Sequence, residues 1–273
     1  MSVNYTELSS KIRKQMIQSA FDCGHPAHIG GALSIVDILT VLYESVLKHD
    51  YTNPMWPERD IFILSKGHTV LAHLAVLHMY RFIDDETLAT FQTNGSKLIA
   101  HPIKNLDIGI ESSNGSLGQG ISYASGMALG FKMRNRANRV FTVLGDGECN
   151  EGSVWEAAQF AAENKLNNLT AIIDVNGMRN DGETAYHGTK QLADMWRSFG
   201  WKVIAIDGHD YDQILGALKD SSETSSCPVA VVAKTTKGKG FTFMEGNNDW
   251  HHNRITELTY QKCIAELEVT SEV

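Results

Sequence analysis

Val140-Phe141-Thr142-Val143-Leu144-Gly145-Asp146-Gly147 is the stretch on which the fold turns. Five apolar or β-branched residues in a row run straight into two glycines that flank a carboxylate. A strand that is apolar at every position is buried on both faces, the habit of parallel rather than antiparallel sheets. Similar short runs occupy residues 61–64, 169–175, 203–206 and 229–233, with helical periodicity between them over 153–164, 190–199 and 211–219. That alternation predicts an α/β fold with a mostly parallel central sheet and helices on both faces. Upstream, Leu8, Ile12, Met16 and Ile17 set a helix over 5–22 that Gly24 and Pro26 stop. Ser34 and Asp37 read as a capping box opening a helix with the stripe Ile35, Ile38, Leu39, Leu42 and Val46. Residues 69–80, 119–135 and 255–267 read as further helices. No fixed-period repeat or linker interrupts the chain, so residues 1–273 are expected to form one domain.

Composition limits what such a sheet could serve. Over 273 residues, 24 Lys and Arg stand against 32 Asp and Glu, a formal charge of −8. Sequence-independent nucleic-acid binding needs the opposite balance, because cations must replace the counterions around phosphate. No apolar run approaches the roughly 20 residues of a membrane-spanning helix. Residues 1–14 are polar where a secretory signal carries its apolar stretch, so a cytoplasmic protein is expected. The four cysteines, Cys23, Cys149, Cys227 and Cys263, are too scattered for a zinc site or a disulfide framework and read as reduced thiols.

Gly145-Asp146-Gly147 lies at the carboxyl end of its strand with a helix beginning near Gly152, the place where open α/β sheets bind ligands. Glycines let the backbone approach a ligand closely, and the first helical turn offers unpaired N–H groups to an anion. The next strand ends in Asp174-Val175-Asn176-Gly177, which puts an amide oxygen at the equivalent edge. Hard oxygen donors of this kind suit Mg²⁺, whose remaining positions phosphate oxygens and water complete, so a diphosphate ligand is implied. Either glycine pair alone would read as a turn; the order strand, G-D-G, helix, strand, N-G favours the ligand site. Gly118-Gln119-Gly120 lacks the third small residue of a dinucleotide fingerprint, since Tyr123 stands there, and no P-loop pattern occurs.

Gly145-Asp146-Gly147, Glu151, Glu156 and Asn176 together resemble the thiamine-diphosphate signature, and other segments narrow the resemblance to the transketolase family. These are Gly24-His25-Pro26, Ser65-Lys66-Gly67-His68, Ala100-His101-Pro102, residues 115–122, Lys234 to Gly240, and Trp250-His251. They run in order from about residue 10 to 260. Ala27, Ser116 and Lys66 depart from the family's usual glycine, proline and asparagine. The resemblance implies the thiamine-diphosphate-binding fold, with Asp146, Asn176 and the Met178 carbonyl on Mg²⁺ (or Ca²⁺ or Mn²⁺). It places Gly145, Gly147, Gly115 and Leu117 around the cofactor, and His68, Lys237 and His251 beside the diphosphate. His25 and His101, with His251, are implied to meet the donor sugar and help move protons. Glu151 and Glu156 match carboxylates at the family's dimer interface, thought to couple two active sites.

Eleven histidines are present. Isolated ones such as His49, His73, His78, His187 and His209 read as surface or satisfied core residues. His25, His68 and His101 adjoin Gly or Pro in loops, where functional side chains concentrate. No role attaches to His28 or His252.

The resembled family draws an essential pyrimidine-activating glutamate from a domain that lies downstream in full-length chains. That pyrimidine-binding domain and the C-terminal domain are not in this sequence and are expected on a second chain. A split transketolase of α2β2 form follows, moving a two-carbon ketol unit from an anionic ketose to an aldose. An α-type subunit of a 2-oxoacid dehydrogenase, and a cofactor-binding but non-catalytic relative, are the competing readings. Gly126 and Gly130, four apart on one helix, suit either close packing against a second chain or packing on the sheet within the domain.

Overall fold

The computed structural model describes residues 3–184, 188–223 and 226–271. His187 lies outside them. The strands are β1 (Ile61–Leu64), β2 (Val140–Gly145), β3 (Leu169–Val175), β4 (Met178–Arg179), β5 (Gly182–Glu183), β6 (Lys202–Asp207) and β7 (Val229–Lys234). Five of them form a sheet in the order β1-β2-β3-β7-β6, every pair parallel, while β4 and β5 make a small antiparallel hairpin. The helices are α1 (Tyr5–Asp22), α2 (Gly30–Leu33), α3 (Val36–Val41), α4 (Val70–Met79), α5 (Asp85–Leu88), α6 (Gln119–Met133), α7 (Gly152–Glu163), α8 (Thr189–Ser198), α9 (Tyr211–Glu223) and α10 (Glu257–Ser271).

Alternate residues of each inner strand feed two cores. Phe141 and Val143 of β2, Ile172 of β3 and Val231 of β7 point into the core with α1, α3, α4 and α9. Val140, Leu144, Ile173 and Val232 point into the other, with α6, α7 and α8. Full burial of both faces explains why β1, β2 and β3 read as runs of apolar and β-branched residues, interrupted by a charge only at Asp174. At the edge, β6 is only partly covered and carries exposed Lys202, Ala205 and Asp207. No helix among the described residues is long and apolar enough to cross a membrane. Among the described residues no disulfide joins any of the four cysteines.

The predicted capping box does not form. Ser34 instead donates to the Gly31 carbonyl at 2.9 Å and to Asp174 Oδ2 at 2.8 Å, and α3 opens at Val36 with no side-chain cap. The single helix expected there is broken into α2, α3 and one wide π turn over Leu42–Val46. Asp37 faces inward and accepts from Arg13 at 2.8 Å. A carboxylate this deeply buried must be paired, and the tertiary ion pair outcompetes a local cap.

Gly120 is where α6 meets the sheet: a Cβ there would lie 2.5 Å from the Ser65 Cα. Gly120→Ala is therefore expected to cost about 1–3 kcal/mol through overpacking. A lower urea midpoint with an unchanged slope would report it. Gly126 and Gly130 face open space, with no heavy atom within 4 Å of an added Cβ, so they do not serve packing on the sheet. A shallow groove along that face of α6 is lined by Tyr123, Met127 and Phe131.

Candidate functional site

The carboxyl ends of β1, β2 and β3 open into a cleft of about 370 Å³. From the sequence-derived set, His68, His101, Gly115, Leu117, Gly145, Asp146, Gly147, Asn176, Met178, Lys237 and His251 all line it. The segments after β1, β2, β3 and β7 bring most of them together, because parallel strands deliver every carboxyl end to the same rim, and residues 101–117 and His251 close over it.

Asp146 is buried and accepts from the Gly147 and Gly177 amides, each at 2.8 Å, and from Thr184 Oγ1 at 3.1 Å. Burial and the neighbouring Asp174 push its carboxyl up from the usual range. Such a raised acid is stabilised as an anion by a cation placed beside it. Asp174, fully buried at the end of β3, collects Lys66, Ser34, Thr235 and the Asn176 amide nitrogen, the last at 3.0 Å. With its nitrogen committed to Asp174, Asn176 turns its Oδ1 the other way, to the Met178 amide at 3.0 Å. One buried carboxylate thereby orients an oxygen donor at the cleft, the arrangement by which outer groups orient metal ligands.

Glu148, which no sequence motif singles out, ties the loops together. Its buried carboxylate accepts from Ser65 Oγ, the Gly118 amide at 2.9 Å and the Gly145 amide at 3.1 Å. Burial raises its pKa. Lys66 and Lys237 are the ammonium groups among these buried acids. Lys237 Nζ donates to the Arg179 carbonyl at 3.2 Å, Asn248 Oδ1 at 2.6 Å and His251 Nδ1 at 2.9 Å. Burial, with help from Lys66, lowers Lys237 to about 8. Since His251 Nδ1 accepts from an ammonium, its neutral ring carries the proton on Nε2. Burial and Lys237 hold His251 near 4.

The structure does not bring His25 to the cleft. It sits exposed on the turn after α1, where Gly24 adopts φ +66°. His28 lines the cleft instead, its ring 5.2 Å from His68, 5.9 Å from His101 and 5.4 Å from His251. Its buried Nδ1 has no hydrogen-bond partner among the described residues. Burial first, then His252 and His251, lowers His28 to about 4, so it is a neutral donor and acceptor at pH 7. Burial lowers His101 as well, and drives His68 far down to about 2. The sequence does carry a signal for His28: it precedes Gly30-Gly31, a glycine pair that lets Lys237 and Thr69 approach the backbone. The Gly-His-Pro triplet just ahead of it points to His25 instead.

Glu151 and Glu156 are exposed at the start of α7 and do not line the cleft. Of the histidines read as structural, His73 meets the Tyr43 hydroxyl at 2.8 Å, His49 the Tyr43 carbonyl at 2.9 Å and His78 Asp85 at 2.8 Å.

Comparison with known proteins identifies the family. The family described as "Transketolase, thiamine diphosphate binding domain" matches residues 9–262. A 6-deoxy-6-sulfo-D-fructose transketolase subunit from Clostridium sp. (strain MSTE9) is 41% identical, covering 94% of each chain. One subunit of the apulose-4-phosphate transketolase from Phocaeicola vulgatus is 36% identical over 98% of this chain and 95% of its own length. The crystal structure of transketolase from Campylobacter jejuni is similar with a TM-score of 0.89 at 28% identity. This chain covers 43% of that longer one, with 98% of its own length matched. The chain therefore belongs to the transketolase family and carries its thiamine diphosphate binding domain.

Proposed function

We propose that this chain is the diphosphate- and cation-binding subunit of a split transketolase, forming one domain and working with a second chain that supplies the pyrimidine-binding and C-terminal domains. The observation that carries the reading is the convergence of Asp146, Asn176 and Met178 with Lys237 and four histidines on one cleft. Asp146, Glu148 and Asp181 line the cleft against Lys66, Lys237 and Arg179, and the fully buried Asp174 beside them leaves one acid in excess. A divalent cation reverses that local excess of negative charge and makes room for a diphosphate. Among the described residues no three His, Cys, Asp or Glu side chains gather to hold a metal. The donor set is instead one carboxylate, one amide and one carbonyl, all hard oxygens, which suits Mg²⁺ and also Ca²⁺ or Mn²⁺.

The residues present fit thiamine diphosphate. Bound, it supplies a nucleophilic carbon and an electron sink for cleaving a carbon–carbon bond. Around it, Asp146, Asn176 and the Met178 carbonyl hold the cation. Gly147 and the Gly115 to Leu117 loop shape the cradle, and His68, Lys237 and His251 face the diphosphate. His28 and His101 are neutral rings at the cleft, able to donate to one sugar hydroxyl and accept from another. The free Nδ1 of His28 supports its role over that of His25. A 2-oxoacid substrate carries no such hydroxyls and gives these rings nothing to do.

The donor is read as an anionic ketose, because the similar subunits are named for a sulfosugar and a sugar phosphate. Glu151 and Glu156 are assigned to contact between two copies of this chain, in a cytoplasmic α2β2 assembly. Glu156 shares an exposed face of α7 with the partly exposed Phe160, which suits such a contact. Mixing the chain with its partner subunit, Mg²⁺ and thiamine diphosphate is expected to produce ketol transfer that neither chain shows alone. Full turnover by the purified chain without a partner would overturn the split assignment.

A further inference from the structure

The residues just beyond β7, 235–240, carry Lys237 into the cleft without belonging to a helix or strand. Their backbone groups are therefore held one by one. The Thr236 amide, next to Lys237, donates to His209 Nε2 at 2.9 Å. The Lys239 carbonyl accepts from Arg13 Nε at 3.1 Å, and the Gly238 amide donates to the Gly30 carbonyl at 2.9 Å. The fit is close. Gly238 has φ +82°, and a Cβ there would lie 2.2 Å from the Met244 carbonyl.

Nothing in the sequence marks His209, yet its tautomer is dictated. An amide N–H can only donate, so Nε2 must accept and the ring proton sits on Nδ1. Nδ1 in turn meets Asp37 Oδ2 at 2.8 Å. Asp37 is itself gripped by Arg13 at 2.8 Å and the Tyr211 hydroxyl at 3.1 Å. Burial alone would raise this carboxyl, but Arg13 and His209 outweigh it and hold it well below the usual range. Asp37 is thus an anion that fixes the plane of the His209 ring. Neither Asp37, Arg13 nor His209 lines the cleft.

We propose that His209, oriented by Asp37, is a positioning residue that anchors the 235–240 loop at the Thr236 amide and thereby sets Lys237 in the cleft. Its effect on affinity rests on the reading of Lys237 as a diphosphate contact; the anchor itself does not.

His209→Asn separates the two halves of the contact, since its amide nitrogen replaces Nδ1 toward Asp37 but no atom reaches Thr236. In the ligand-free full chain this variant is expected to speed hydrogen exchange at the Thr236 amide about tenfold or more, with α3 and α9 unchanged. Exchange at the wild-type rate would overturn the proposal. Calorimetric titration of thiamine diphosphate with Mg²⁺ present then closes a double-mutant cycle. His209→Asn and Lys237→Ala should each weaken binding, the former about tenfold, and the double variant should bind no worse than Lys237→Ala. If Lys237→Ala weakens binding while His209→Asn does not, or the two losses simply add, His209 does not act through Lys237. If Thr236 exchange rises but Lys237→Ala binds as tightly as wild type, the anchor stands and the cofactor role of Lys237 falls.

Discussion

Asp146→Ala is expected to weaken Mg²⁺-supported binding of thiamine diphosphate by more than 100-fold and to remove ketol transfer. Loss of a group that merely orients a metal ligand costs about 10–100-fold in affinity; Asp146 is the one full negative charge offered directly at the proposed cation position. Its removal also frees the Gly147 and Gly177 amides and Thr184, so the loops after β2 and β3 lose a common anchor. Calorimetry with and without the metal reads the result. Asp146→Asn makes the control, since it keeps the shape and one acceptor oxygen, enough for the Gly177 amide and Thr184 though not also for Gly147, while carrying no charge. If Asp146→Asn binds both metal and cofactor like the wild type, the cation does not sit there.

His28→Ala should lower ketol transfer by about 10²–10⁴-fold, the range typical of a lost general acid–base group, while His25→Ala leaves it within a few-fold of wild type. The contrast follows from position alone. One ring lies within 6 Å of three other cleft histidines and keeps a buried nitrogen free; the other is exposed on a turn. Steady-state rates with the partner subunit present decide it, alongside cofactor titration, which His28→Ala should alter little. The reverse pattern would restore His25 as the sugar-facing histidine.

These two residues also mark how far the sequence could be read. The strands were legible because burial on both faces leaves β2 and β3 almost wholly apolar or β-branched, with Asp174 the one charge, and that pattern is local. Gly145-Asp146-Gly147 and Asn176 were legible because a parallel sheet puts the ends of neighbouring strands side by side. What a linear reading could not supply was long-range pairing. Ser34 and Asp37 have capping-box spacing, but their partners are Asp174, 140 residues away, and His209, 172 residues away. The choice between His25 and His28 depended on which of the two the short stretch between Gly24 and Gly30 turns into the cleft and which it leaves exposed. His209, one unremarkable histidine among eleven, gained its place only when α1, α3 and the loop after β6 closed around Asp37.

All five strands of the main sheet point the same way, and this leaves the molecule with two unlike ends. The loop before β3, with Asn167 exposed at its tip, lies at the opposite rim from Asp146 and Asn176. A fluorophore or surface tether grafted there would be separated from the chemistry by the full length of the strands, so immobilised protein would keep its working end turned toward solution.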